Sequence, residues 1–82
     1  MKSEKLLRKI INSQSNIRFE DFIKLIKEYG FIQSRVKGSH HIFKHPEVEE
    51  LINIQNAEGK AKPYQIKQFI SIIEKYDLKL KK

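Results

Sequence analysis

The three histidines of the chain, His40, His41 and His45, lie within one short segment. An imidazole can accept or donate a proton near neutral pH, and it can also ligate a metal ion. Gly38 and Ser39 directly precede the first histidine. A glycine at a strand end lets a ligand approach the backbone closely. This segment is therefore the first candidate for a site of chemistry.

A metal site is the less favoured interpretation of these histidines. Adjacent residues on a strand point to opposite faces, so His40 and His41 cannot hold the same ion. His41 and His45 share a parity, but no carboxylate at a suitable local spacing completes a ligand set with them. We therefore expect no metal and no other cofactor. We expect His41 to be structural.

RNA cleavage is a reaction that an exposed histidine among cations can support without a metal. The RNA supplies its own nucleophile, the 2′-hydroxyl, and the step needs a proton-transfer group and positive charge around the phosphate. His40 is the candidate general base or acid, because strand alternation puts it on the face opposite Phe43. The candidate residues for phosphate contacts and charge stabilisation are Arg35, Lys37, Gly38, Ser39, Lys44 and Lys62.

The overall charge agrees with a polyanionic partner but does not identify one. The chain has 17 Lys and Arg against 10 Asp and Glu, a net charge of +7, and residues 60–82 contain seven of the basic side chains. A solubilising surface or an acidic protein partner would account for this charge equally well. The absence of cysteine excludes a disulfide framework. No secretory signal or membrane span is evident, so we expect a cytoplasmic protein.

Helices are expected on both sides of the histidine segment. Apolar spacing predicts a short helix over residues 3–13, with Ser3 as its N-cap and Leu6, Leu7, Ile10 and Ile11 as its apolar stripe. Glu20 and Asp21 suit the first turn of a second helix that ends before Gly30. Pro63 suits the first turn of a third, which fades near Tyr76. Tyr64 is expected to pack at the start of that helix rather than to stack on a base.

Between these helices the period changes to that of strands. Residues 31–36, 40–44 and 51–55 are predicted as strands, with a tight turn at Lys37-Gly38-Ser39. Residues 47–50 are predicted as an acidic connection. The short loops favour an antiparallel meander in which helices cover one face. The fold class is therefore α+β, in the order α-α-β-β-β-α.

The residues around His40 resemble a known family. Gly38-Ser39-His40-His41-Ile42-Phe43, followed by His45-Pro46, is similar to the G-S-H-x-x-F signature of HicA toxins of bacterial toxin–antitoxin pairs. The helix–Gly–Phe–strand unit before it and the Lys62-Pro63 helix after it match the same family, over about residues 19–78. The resemblance implies a double-stranded-RNA-binding-like fold with a three-stranded antiparallel sheet. It also implies mRNA cleavage without the ribosome, by one essential histidine corresponding to His40, and neutralisation by a HicB antitoxin.

We expect the chain to form one domain over residues 1–82. Residues 1–17 form an N-terminal extension of the family pattern, 18–78 the core and 79–82 a basic tail. Residues 56–60 lack the Pro- and His-bearing stretch often found after the third strand in this family, so the resemblance does not imply a second catalytic group there. The expected partners are mRNA and a HicB-like antitoxin, with no membrane. The competing hypotheses are an RNA-binding module without catalysis and a module that binds an acidic protein.

Overall fold

The computed structural model describes residues 3–12 and 17–80, with side chains from Leu7 onward. The fold is α+β, in the order α-α-β-β-β-α that the sequence predicts. The capping side chain expected at Ser3, the turn residues 13–16 and the last two lysines lie outside the described residues. The elements are α1 (Ser3–Asn12), α2 (Phe19–Glu28), β1 (Ile32–Lys37), β2 (His40–His45), β3 (Val48–Gln55) and α3 (Pro63–Lys75).

Helices α2 and α3 begin and end where local signals place them. Glu20 and Asp21 lie in the first turn of α2, where carboxylates interact favourably with the helix dipole. Gly30 follows the helix with a φ of +95°, a conformation that glycine adopts without steric cost. Pro63 is the first residue of α3. None of the described helices has the length and apolar character needed to cross a bilayer.

The core lies between these helices and one face of the sheet. Phe69 of α3 is at its centre, with its ring 5.5 Å from that of Phe22 in edge-to-face geometry. Phe43 and Ile52 from the sheet are fully buried in the same cluster. One face of the sheet is therefore committed to packing, and the other is left for the solvent or a ligand.

Helix α1 contacts the core through a narrower apolar stripe than the sequence predicts. Ile10 is fully buried and Leu7 packs partly against the core, as the apolar stripe requires. Ile11, expected in the same stripe, is 52% exposed. The prediction was wrong for Ile11 because helix rotation places only one edge of the stripe against the neighbouring elements.

The sheet is antiparallel, with β2 in the middle of the order β1-β2-β3. Gly38 and Ser39 connect β1 to β2, and Pro46 and Glu47 connect β2 to β3. All six residues of β1 are exposed, so β1 is an uncovered edge strand. Two-residue turns at both connections fix the register of the strands and hence the side chains that share a face.

The predicted acidic connection over residues 47–50 is wrong, because β3 already begins at Val48. Val48 is buried and pairs with His45, which extends the strand through Glu49 and Glu50. Glutamate is unfavourable in strands by propensity alone, but packing and long-range pairing override that preference. The acidic residues therefore belong to the sheet, near its Pro46–Glu47 end.

Glu50 links this end of the sheet to the end of α3. The Tyr76 hydroxyl donates a 2.6 Å hydrogen bond to Glu50 Oε1, and Lys75 Nζ lies 2.9 Å from Oε2. The hydrogen bond from Tyr76, followed by that from Lys75, lowers the pKa of Glu50 from 4.5 to about 2. The folded state therefore favours the ionised carboxylate over its protonated form.

We expect Glu50→Gln to lower the stability of the fold at neutral pH, and this loss to disappear in acid. Because the folded pKa lies below the unfolded one, the stabilisation by Glu50 is complete above about pH 4.5 and is lost as the pH falls towards 2. Urea midpoints measured between pH 7 and 2.5 test this. Glu49→Gln is the matched control, since Glu49 is in none of the ion pairs found among the described residues. Equal pH dependence in both variants would contradict the assignment.

Candidate active site

His40 is the first residue of the central strand and lies on the uncovered face of the sheet. It is exposed, whereas Phe43 three residues later is fully buried. The alternation predicted from the sequence therefore holds at these positions. Its position at the mouth of the β1–β2 turn leaves the imidazole accessible to a ligand.

Gly38 and Ser39 set where this strand begins. Gly38 has a φ of +61°, and a β-carbon built on it would meet no atom of the described residues within 4 Å. The glycine is therefore required by the conformation of the turn and not by crowding. The Ser39 carbonyl accepts a 3.1 Å hydrogen bond from the Asn56 amide, which ties the turn to the end of β3. The backbone that carries His40 is thus held from two sides.

Three cations share the open face with His40. Lys37 is the cross-strand partner of His40, and Arg35 is the partner of Ile42. Arg35 and Lys37 lie two residues apart on β1, so both side chains fall on the same face as His40, and the irregularity in β1 at Ser34 lies beyond them. Lys44 follows on β2 with the parity of His40 and is exposed. None of the three belongs to an ion pair within the described chain, so their charges are available to an anion.

The acidic residues of β3, Glu49 and Glu50, lie near the other end of the sheet. His40 begins β2, and the Pro46–Glu47 turn follows its last residue. At the usual rise of a strand the two ends are roughly 16 Å apart. Of the four acidic side chains in residues 35–59, Glu58 is the one at the His40 end of the sheet, in the turn after β3, and the local charge stays positive because Lys37 and Lys62 lie at that end too.

The other two histidines point towards the core. The ring of His41 is half-buried, with its centroid 4.9 Å from that of Phe19. His45 is only 4% exposed and packs 4.9 Å from the ring of Phe31. These contacts agree with the structural role expected for His41. They also separate both rings from the face that carries His40.

His45 holds the β2–β3 turn in place. Its Nδ1 accepts a 3.0 Å hydrogen bond from the Glu47 amide, so a neutral ring has its proton on Nε2. That Nε2 is buried and has no hydrogen-bond partner within the described chain. The described residues include no group of three His, Cys, Asp or Glu side chains that could hold a metal ion.

Lys62 and Tyr64 lie at the same end of the sheet as His40. Gln55, the cross-strand partner of His40, donates its amide hydrogen to Gln65 Oε1 at 2.9 Å, which joins this strand end to the start of α3. Lys62 Nζ is 5.9 Å from the centroid of the Tyr64 ring. The prediction that Tyr64 packs was wrong: it is 62% exposed, because its position in the first turn of α3 faces away from the core.

Sequence reasoning missed one residue of this face. Asn53 of β3 is exposed, and its Oδ1 lies 3.2 Å from His40 Nδ1. Its parity, opposite to that of the buried residues Ile52 and Ile54, was the available signal. Parity predicts exposure, but the pairing register was needed to bring Asn53 next to His40.

Comparison with known proteins identifies the family. A search of curated proteins and a search of solved structures each gave no significant match. The family model described as the HicA toxin of bacterial toxin–antitoxin systems matches residues 19–77, from the start of α2 to just beyond α3. The match includes the Gly38-Ser39-His40-His41 segment and all three strands, and it leaves α1 outside. The chain therefore belongs to the HicA toxin family and is the toxin of a bacterial toxin–antitoxin system.

Proposed function

We propose that this toxin is an endoribonuclease, an mRNA interferase that cleaves RNA without a metal ion and without the ribosome, with His40 as its catalytic residue. Membership of the HicA family implies an RNA substrate and a cognate antitoxin. The observation that carries the proposal is the exposed His40 on a sheet face with Arg35, Lys37 and Lys44, three cations that form no ion pair with the described residues. A proton-transfer group and positive charge then meet at one accessible surface.

The reaction uses the nucleophile that RNA contains. Neutral His40 takes the proton of a 2′-hydroxyl, and the 2′-oxygen forms a bond to the adjacent phosphorus. The bond from phosphorus to the 5′-oxygen breaks, and that oxygen takes up a proton from the solvent reaching this exposed face. The products are a 2′,3′-cyclic phosphate and a 5′-hydroxyl. Lys37, the cross-strand partner of His40, stabilises the extra negative charge of the pentacoordinate phosphate, and Lys44, four residues further along β2, contacts a neighbouring phosphate of the RNA.

The remaining site residues bind the RNA backbone. Gly38 and Ser39 form an uncrowded turn beside His40, where a phosphate can approach the main chain. Lys62, at the same end of the sheet, provides a further contact. We propose that a HicB-like antitoxin neutralises the toxin by covering this face. All of these roles depend on the surface that the helices leave open.

The test is cleavage of a single-stranded RNA by the purified chain in excess EDTA. We expect fragments ending in a 2′,3′-cyclic phosphate. A substrate with one 2′-deoxynucleotide at the cleaved position should resist cleavage there and remain bound. Binding of RNA without any cleavage, in EDTA or in Mg²⁺, would contradict the proposal and favour a non-catalytic RNA-binding module. Cleavage only in the presence of Mg²⁺ would contradict its metal independence.

Glycine substitutions separate the turn's role in folding from its role in RNA binding. Gly38 and Gly59 both have positive φ, +61° and +85°, and at both positions a β-carbon would meet no atom within 4 Å in the part of the chain that the structure describes. We expect Gly38→Ala and Gly59→Ala each to lower the free energy of unfolding by about 1 kcal/mol, from backbone strain alone. Only Gly38→Ala should also lower kcat/KM for RNA, because its methyl group obstructs the phosphate approach. Equal kcat/KM in the two variants would remove Gly38 from the binding surface.

A further inference from the structure

The hydrogen bond between His40 and Asn53 joins neighbouring strands on the open face. Asn53 is the cross-strand partner of Ile42, and Gln55 is the partner of His40, so Asn53 reaches His40 along the diagonal. Its Oδ1 lies 3.2 Å from His40 Nδ1. This contact leaves the other ring nitrogen, Nε2, outside the hydrogen bond.

The chemistry of the pair determines which nitrogen has the proton. An amide oxygen only accepts hydrogen bonds, so His40 Nδ1 must donate to Asn53 Oδ1. A neutral ring that donates from Nδ1 has its lone pair on Nε2. The opposite tautomer would direct the lone pair of Nδ1 at those of Oδ1. The contact therefore selects one neutral form of the imidazole, and it also suits the imidazolium, which donates from both nitrogens.

Asn53 is well placed to act as a rigid support for this contact. The residues on either side of it, Ile52 and Ile54, are fully buried in the core. The strand is further held at Gln55, whose amide donates to the buried side chain of Gln65 at 2.9 Å. A side chain that projects from such a segment loses little additional freedom when it binds the imidazole.

We propose that Asn53 is a positioning residue that holds neutral His40 with its proton on Nδ1, so that Nε2 is the nitrogen that receives the proton of the 2′-hydroxyl. The inference rests on the proposed nuclease function, which supplies the reason for presenting Nε2. Asn53 contacts no reacting atom and acts through the orientation and tautomer of His40. Nucleophile–histidine systems with a third orienting group use the same arrangement.

The tautomer is measured directly, and without RNA, from the ¹⁵N chemical shifts of the labelled His40 ring above its titration range. We expect a protonated Nδ1 and an unprotonated Nε2 in the native chain, and a shift towards the Nε2-protonated form in Asn53→Leu. Gln55→Leu is the matched control, because it adds an apolar side chain opposite His40 without removing the hydrogen bond, and its signature should equal the native one. A native His40 with its proton on Nε2 would overturn the inference.

Kinetics then separate positioning from general structural damage. Asn53→Leu should lower the single-turnover cleavage rate on the order of 10-fold, with RNA affinity and the urea midpoint nearly unchanged. Asn53→Asp should keep most of the rate but move the acid limb of the pH–rate profile to higher pH, since a carboxylate beside the ring favours its protonated form. A native rate and pH profile in both variants would overturn the inference.

Failure of this inference differs from failure of the proposed function. If His40→Ala loses cleavage while both Asn53 variants behave like the native chain, only the positioning role is wrong. If the native chain does not cleave RNA at all, the nuclease proposal is wrong, and the predicted role of Asn53 in presenting Nε2 is wrong with it.

Discussion

His40→Ala should lower the single-turnover rate of RNA cleavage by about 10²- to 10⁴-fold, the range that general acid–base groups contribute. The variant should keep its affinity for RNA, because Arg35, Lys37 and Lys44 retain their charges on the same face. It should also keep its fold, since His40 is exposed and substitutions at such positions change stability by less than about 0.5 kcal/mol. The rate is measured at saturating protein, with binding measured separately on an uncleavable 2′-deoxy substrate.

His41→Gln is the control for this experiment. It removes the adjacent imidazole, which packs on Phe19 beneath the sheet, while the open face is left unchanged. We expect its cleavage rate, corrected for any loss of folded protein, to stay within a few-fold of the native rate. If cleavage is lost in His41→Gln but retained in His40→Ala, the proton transfer belongs to His41 and the proposed role of His40 is wrong. In a bacterial host, growth arrest by the native chain and its relief by His40→Ala would follow from the same account.

The largest effect on stability is expected from His45→Ala, with a loss of about 2–4 kcal/mol in the free energy of unfolding. The substitution leaves a cavity beside Phe31 and removes the acceptor for the Glu47 amide. For a domain of this size such a loss is a large part of the total stability. Urea denaturation followed by circular dichroism measures it, with an unchanged m-value as evidence that the transition stays two-state.

His45→Asn separates the two components of that loss. An asparagine before a proline can accept a hydrogen bond from the amide two residues on, so it preserves the turn contact but not the ring packing. We expect its stability to lie between those of the native chain and His45→Ala. If His45→Asn is as unstable as His45→Ala, the hydrogen bond to Glu47 contributes nothing. If the urea midpoint of His45→Ala equals that of the native chain, the packing role of His45 is also wrong.

The helices and the first hairpin were predictable because their signals are local. Gly30 and Pro63 mark helix boundaries through their own backbone preferences, and Ile66 with Phe69 repeats at a helical spacing. Gly38 likewise marks a tight turn through the positive φ that it tolerates. Each of these features depends on a few adjacent residues, so no knowledge of the rest of the fold is needed.

The features that were not predictable depend on contacts between distant residues. The strand over Val48–Gln55 begins early because Val48 pairs with His45 and is buried in the core, and because Glu50 is held by Lys75 and Tyr76, 25 and 26 residues further along. No local pattern within an acidic run contains that information. Tyr64 is exposed for a similar reason, since the face that α3 turns to the core is decided by packing.

The candidate site was predictable in part. Alternation from the core residue Phe43 is enough to place His40 on the exposed face. The side of the sheet that Arg35 occupies follows from its pairing with Ile42, and the neighbour of His40 on β3 depends on the register of the next pair of strands. Asn53 was therefore missed. The roles of these residues in RNA cleavage remain predictions for the experiments described above.

The central claim, that His40 transfers the proton in RNA cleavage, is tested most directly by imidazole rescue of His40→Ala. The measurement is the single-turnover cleavage rate of one RNA in EDTA, with increasing concentrations of free imidazole. We predict a slow reaction that accelerates with imidazole in His40→Ala, while the native rate does not change. A His40→Ala variant that cleaves as fast as the native chain without imidazole would contradict the account.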